Sequence, residues 1–368
     1  MQILRRVLDT ACVHALASPC LAMLVDLLWL CGGLALLLLA GEALVRGASG
    51  LALLARIAPA IVGLTVVAAG TSAPELVVSV RAALAGSAGL ALGNVVGSNI
   101  VNSSAVLGLT LLLCPITVSR ATLRFEWRVM FATSVALAAC AYDGTLSRSN
   151  GLTLLGGLVL FGAILGVKRR GQVAGLTRVA TRTDATTSPC LVDPALATPT
   201  KTHAREHVDT ASFGRTGRAA LVLNSTAVLL GIVGLSVGAE WLVRGAVNLT
   251  RNFGVSDTLI GLTIVAGGTS APELFTSVIA ARKGQGALAL TNVLGSNIFN
   301  ILGILGTTAS ITSLSLPTEL LTRDLPWMIA LSFVLLPMCL FGRTLGRPQG
   351  TLLLLAYAAY GALLWSGS

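Results

Sequence analysis

Charge is scarce in this chain. Asp, Glu, Lys and Arg together make up 11% of its 368 residues, and a soluble domain of that length needs far more to cover its surface. Histidine is scarcer still: His14, His203 and His207 all fall outside the apolar runs, which removes the usual imidazole base from chemistry inside a membrane. The seven cysteines (Cys12, Cys20, Cys31, Cys114, Cys140, Cys190 and Cys339) are scattered without a CxxC pair. They read as small core hydrophobes, with no disulfide framework or zinc site implied. Aromatic residues are 5% of the chain, and the basic excess, +10 overall, does not cluster on an aromatic-rich module. Nucleic acid is therefore not the partner it points to.

Apolar sequence is what the chain has. Hydrophobic residues are 54%, with runs such as Leu21–Ala40, Ile61–Ala83 and Ala219–Ala239 that match the roughly 17–25 residues of a membrane-spanning helix. Ten such stretches are expected: 21–42, 59–83, 88–113, 126–143 and 150–167, then 219–243, 256–281, 287–312, 325–343 and 349–366. Residues 1–20 form an N-terminal extension, either a start placed too early or a targeting segment. Residues 168–218 are rich in Thr, Ala, Arg and Asp with no apolar period, as expected of a flexible loop. Eighteen Lys and Arg fall on that loop's side of the membrane and five on the other. Basic loops stay inside, so the loop is expected to be cytoplasmic and the N-terminus outside. Arg5 and Arg6 go against that bias.

The chain also repeats itself. Residues 63–107 align without a gap to 261–305 at a constant offset of 198, with 28 of 45 positions identical, and Glu42 and Arg46 map to Glu240 and Arg244 in the same register. Each copy opens a set of five spans, an odd number, so the second must enter the membrane from the opposite face. The expected fold is an all-α polytopic membrane protein: ten transmembrane helices in two inverted-topology five-helix repeats, 21–167 and 219–366. Such repeats place a substrate site near the midplane, where the copies meet.

The polar residues inside the spans say what that site is. Gly70-Thr71-Ser72-Ala73-Pro74-Glu75 recurs as Gly268-Thr269-Ser270-Ala271-Pro272-Glu273. Pro74 and Pro272 have no N–H for the carbonyls of Gly70 and Gly268 and push Ala73 and Ala271 from helical geometry. Each helix should break here, which is tolerated at membrane depth only around a protein-lined or wet cavity. A carboxylate at that depth costs at least about 2.5 kcal/mol, and no Lys or Arg lies within the same core segments to pair with Glu75 or Glu273. A lone buried Glu is readily a protonated packing group; two at equivalent positions point to a cation. In the next span Asn94, Ser98 and Asn102 lie on one helical face, repeated by Asn292, Ser296 and Asn300. Such a stripe by itself is helix–helix glue as readily as ligand. Carboxylates, hydroxyls, amides and freed carbonyls make an all-oxygen set that suits Ca²⁺ or Na⁺ and offers nothing to soft metals. Two negative charges balance one Ca²⁺ or two monovalent ions, the physical basis for exchange.

These motifs, with Gly93–Asn102 (GNVVGSNIVN) and Thr291–Asn300 (TNVLGSNIFN), resemble the two alpha-repeats of the cation/calcium exchanger superfamily, the sodium/calcium exchangers. The resemblance covers both repeats and the five-plus-five layout, and leaves out the central loop and the first twenty residues. It implies ten helices, alternating access and countertransport of Ca²⁺ against Na⁺, with one chain holding a complete site. It also implies metal ligands: carboxylates from Glu75 and Glu273, hydroxyls from Thr71, Ser72, Thr269, Ser270, Ser98 and Ser296, backbone carbonyls from Ala68 and Ala266, and the amides of Asn102 and Asn300. In many members one of that last pair is Asp. Here both are Asn, which leaves H⁺ and K⁺ open as driving or coupled ions. A channel would show uptake without a counter-ion, and nothing here resembles a repeated pore-loop filter. An intramembrane hydrolase lacks a base near Ser72 or Ser270. The expectation is an antiporter, not an enzyme, with no cofactor, its substrates Ca²⁺ and Na⁺, its home the lipid bilayer of a prokaryotic inner membrane, and its oligomeric state open.

Overall fold

The computed structural model describes residues 19–55, 57–117, 120–183, 217–252, 266–341 and 344–366. They are almost wholly helical: α1 (Pro19–Leu54), α2 (Pro59–Thr71), α3 (Ala73–Leu84), α4 (Ala88–Leu113), α5 (Arg120–Cys140) and α6 (Arg148–Thr183) in the first half. The second half holds α7 (Gly217–Asn252), α8 (Ala266–Thr269), α9 (Ala271–Arg282), α10 (Gly286–Ile311), α11 (Leu325–Phe341) and α12 (Arg347–Ser366). Four two-residue strands punctuate the turns: β1 (Ile116–Thr117), β2 (Thr145–Leu146), β3 (Leu314–Ser315) and β4 (Thr344–Leu345).

Among the described residues, six stretches are long and apolar enough to cross a bilayer: Met23–Leu54, Ala88–Leu113, Arg148–Val167, Arg218–Leu249, Gly286–Ile311 and Leu320–Met338. The bent pair α2–α3 makes a seventh if counted as one span. Several helices outrun the expected stretches. α1 continues to Leu54 instead of ending near residue 42, α7 reaches Asn252, and α6 continues to Thr183, into the segment expected to be loop. The expectation ended each span where charge begins. Charge marks the end of the apolar slab, whereas a helix keeps bonding its own backbone beyond it. Residues 1–18, 184–216 and 253–265, which hold most of the N-terminal extension, the rest of the central segment and the start of the expected 256–281 span, lie outside the described residues.

α1 and α7 pack along each other in antiparallel fashion. A side chain added at Gly33 would meet the Leu242 backbone, one at Gly231 would meet Leu44, and one at Gly245 would lie 2.6 Å from the Asp26 carbonyl. Lipid gives helices little hydrophobic reason to associate, so close approach over small residues does the holding. The outer face of this pair carries Leu28, Leu39 and Leu229, each more than 60% exposed.

α4 and α10 sit at the centre. Within their apolar windows 78% and 94% of residues are buried, against 22% and 17% for α1 and α7. Around them the halves interlock. The C-terminal part of α4 packs on α12 through Gly108 and Gly350, and that of α10 packs on α6 through Gly306 and Gly151. The strands follow suit: β1 pairs antiparallel with β4 (Ile116 opposite Leu345), and β2 with β3 (Leu146 opposite Leu314).

Candidate ion-binding site

The site begins where two helices break. α2 and α3 meet at Ser72, whose backbone (φ −85°, ψ 9°) lies between the helical and extended regions, and their axes bend by 44°. Ser270, between α8 and α9, has nearly the same angles (φ −87°, ψ 6°). The distortion falls one residue before the expected Ala73 and Ala271, because Ala73–Pro74 and Ala271–Pro272 open the following helices. A proline there loses no intrahelical bond, and its fixed φ suits a helix start. Glu75 and Glu273 thereby sit in the first turns of α3 and α9, where the aligned N–H dipoles favour negative charge.

Both glutamates have 0% exposure. Glu273 Oε1 accepts hydrogen bonds from Ser72 Oγ (2.9 Å) and Ser296 Oγ (3.3 Å), and Ser296 Oγ lies 3.5 Å from Thr71 Oγ1. The first of these bonds crosses between the halves, as does the Thr71–Ser296 contact. Neither carboxylate oxygen of Glu75 has a hydrogen-bond partner, nor do Glu273 Oε2 and Ser270 Oγ. Ser72, which bonds Glu273, stands at the N-cap of the helix whose first turn carries Glu75. The ion pairs Arg46–Glu42, Lys283–Glu42 and Arg323–Asp324 include neither glutamate. Two like charges without a counter-charge in a low dielectric carry a large penalty, and a cation between them removes it.

Of the expected site residues, Thr71, Ser72, Ser296 and Glu273 meet directly. Thr71, Ser72, Ser98, Asn102, Ser270, Ser296, Asn300 and Ala68 are all buried, and Thr269 is half-buried. Ala266 opens α8. The π-helical turn Asn102–Val106 packs against α9, and its counterpart Asn300–Leu305 against α3, so each half's turn lies against the other half's glutamate-bearing helix. Such turns recur at functional sites. Asn94 and Asn292 do something else. Asn94 Nδ2 donates to the Glu75 carbonyl (3.2 Å) and to Ser79 Oγ (2.9 Å). Asn292 Nδ2 does the same with the Glu273 carbonyl (3.4 Å) and Ser277 Oγ (3.0 Å). They brace the turns that carry the carboxylates.

Sequence reasoning missed Asn99 and Asn297, which bond across the halves. They stand one residue past Ser98 and Ser296, about 100° around the helix from the stripe, so a one-face reading passes over them. Their identity in both copies was the available signal. Among the described residues no three His, Cys, Asp or Glu side chains gather; the donors present are carboxylate, hydroxyl, amide and backbone oxygens, a set for hard cations.

The sodium/calcium exchanger protein family matches residues 25–167 and 224–366. The chain belongs to that family. The two matched blocks are the two halves described above, each with its broken helix and carboxylate. Among relatives, inner membrane protein YrbG of Escherichia coli (strain K12) is 35% identical over 337 residues, covering 90% of this chain and 94% of that protein. Sodium/calcium exchanger MaX1 of Methanosarcina acetivorans is 30% identical over 371 residues, covering 93% and 99%. A solved structure of the sodium-calcium exchanger NCX_Mj superposes with a TM-score of 0.71 at 28% identity, covering 93% of this chain and 99% of that one. The chain is thus a membrane transporter of the cation antiporter type rather than an enzyme.

Proposed function

We propose that this exchanger moves Ca²⁺ against Na⁺ by alternating access, with both ions using one site at the junction of the halves. The observation that carries the reading is the hydroxyl–carboxylate bond from Ser72 to Glu273. It brings one half's broken helix to the other half's carboxylate, beside a Glu75 with no partner of its own. Glu75 and Glu273 supply the charge. Thr71, Ser72, Ser98, Thr269, Ser270 and Ser296 supply hydroxyls, Asn102 and Asn300 amide oxygens, and Ala68 and Ala266 backbone carbonyls.

The same reading takes the chain as ten spans in two inverted halves, 21–167 and 219–366, with the 168–218 segment cytoplasmic and the N-terminus outside. The strand pairing supports inversion. β1 follows α4 and its repeat counterpart β3 follows α10, yet β1 pairs with β4 and β3 with β2. With α5 as one of the ten spans, β1 and β2 lie on opposite faces, and the turn after α4 shares a face with the turn before α12, not with the turn after α10. Parallel copies would put counterparts together. The name of MaX1 supports Na⁺ as the partner ion.

The test is radiolabelled Ca²⁺ uptake into proteoliposomes with Na⁺, K⁺ and H⁺ gradients imposed one at a time. Uptake driven by an outward Na⁺ gradient is the expected result. Uptake that follows only the pH gradient would replace Na⁺ with H⁺ as the driving ion, and uptake without any counter-gradient would make the chain a channel.

A further inference from the structure

Asn99 and Asn297 are repeat counterparts, and each faces a methionine of the other half with its amide nitrogen. Asn99 Nδ2 faces Met328 Sδ at 3.7 Å, and Asn297 Nδ2 faces Met130 Sδ at 3.6 Å; the two methionines are themselves counterparts. Asn99 Nδ2 also donates to the Asn297 carbonyl (3.3 Å), and Asn297 Nδ2 to Ser103 Oγ (2.6 Å). Asn297 thus reaches the other half's π-helical turn through its nitrogen, at Ser103, and Asn99 reaches it through its oxygen.

The second nitrogen partners differ, since the counterpart of Ser103 is Ile301, and the oxygens differ further. Asn99 Oδ1 accepts from Asn300 Nδ2 at 2.9 Å. The equivalent bond, Asn102 Nδ2 to Asn297 Oδ1, is not made: both amide atoms of Asn102 and the oxygen of Asn297 lack any partner, although these residues are at most 2% exposed. Burying three polar atoms without partners is unfavourable by about 1–3 kcal/mol each. Asn300, in contrast, has its nitrogen occupied and only its oxygen left to offer.

We infer that Asn99 and Asn297 are positioning residues that orient the ligand amides of Asn300 and Asn102, and that the two inter-half bonds alternate. The Asn99–Asn300 bond holds in the state seen here, and Asn297–Asn102 forms in its place when the transporter faces the other side. The inference rests on the proposed ion site, since it gives Asn102 and Asn300 their role. It adds a reason for their being amides: an amide donates to its positioner while keeping an oxygen for the ion, which an ionised carboxylate cannot do.

The test compares apparent Ca²⁺ affinity at the two membrane faces, using exchange in right-side-out and inside-out vesicles. Asn99→Leu is expected to raise the half-saturating Ca²⁺ about threefold to tenfold at one face, the effect of one buried hydrogen bond, and less than about twofold at the other. Asn297→Leu is expected to do the reverse, and the double variant to restore the wild-type ratio between faces, which a folding defect would not do. If the leucine variants do not accumulate, Asn99→Ser and Asn297→Ser break the same bonds with the same expectation. Equal weakening at both faces, or weakening of the same face by both variants, overturns the inference. If wild-type vesicles carry Na⁺ and no Ca²⁺, the Ca²⁺ reading fails separately, and half-saturating Na⁺ at the two faces decides this one.

Discussion

The outer pair of helices keeps the repeat's symmetry in its close glycine contacts, and the proposed ion site does not. Gly33 of α1 meets Leu242 of α7, and the counterpart Gly231 meets Leu44; Gly47 meets the Asn224 carbonyl, and its counterpart Gly245 that of Asp26. The four strands pair in the same reciprocal way. At the centre Glu273 has two hydroxyl donors and Glu75 has none, and one of two equivalent amide bonds is open. The glutamates, serines and asparagines recur in both copies, but Ser103, which takes the Asn297 amide, is matched by Ile301, so sequence sets part of the difference. Conformation sets the rest: a transporter with two equivalent halves must treat them unequally whenever it faces one side.

That comparison can be broken in several places. The largest effect is expected from Glu75→Gln and Glu273→Gln, each lowering Na⁺-dependent Ca²⁺ flux more than about 100-fold, since each removes half of the charge proposed to bind the ion. A variant that stays monodisperse in detergent and still exchanges would mean that the unequal environments reflect a fixed division of labour. Next, Gly33→Leu and Gly231→Leu should each destabilise the protein by about 1–3 kcal/mol through overpacking. Their shifts in detergent thermal unfolding should match; a large mismatch would show the outer pair to be less symmetric than its contacts. Ser72→Ala should weaken Ca²⁺ binding by about 1 kcal/mol, one buried bond to a carboxylate. Ser270→Ala should weaken it less, because its hydroxyl has no partner in this state; equal losses by calorimetry would argue against a state-dependent site. The smallest effect belongs to Glu42, which pairs with Arg46 (2.6 Å) and Lys283 (2.5 Å) while partly exposed. Glu42→Gln should cost under about 1 kcal/mol and less in high salt, and Glu240→Gln, at an exposed counterpart, close to nothing in the same unfolding assay.

Much of this was readable beforehand because lipid is a strict solvent. Glu75 and Glu273 stand out since an acid in an apolar run demands a reason, and Pro74 and Pro272 mark the breaks since no N–H can be supplied. The repeat made each observation count twice. Other features were hidden for physical causes. The lengths of α1, α6 and α7 do not follow hydropathy, which records where lipid ends and not where backbone bonding ends. The bend fell at Ser72 because a proline at the second position of a helix fits it. Asn99 and Asn297 lie off the polar face that spacing picks out, and the cross-pairing of β1 to β4 depends on partners over two hundred residues away. Nor can an identical pair of motifs reveal which copy is hydrogen-bonded at a given moment.

The most direct measurement is calorimetric titration of Ca²⁺ into the purified exchanger and its Glu75→Gln and Glu273→Gln variants, in Na⁺-free detergent solution. One Ca²⁺ per chain for the wild type and no detectable binding for either variant is the predicted result. Two ions per chain, or full binding after loss of one glutamate, would mean that the carboxylates do not share an ion.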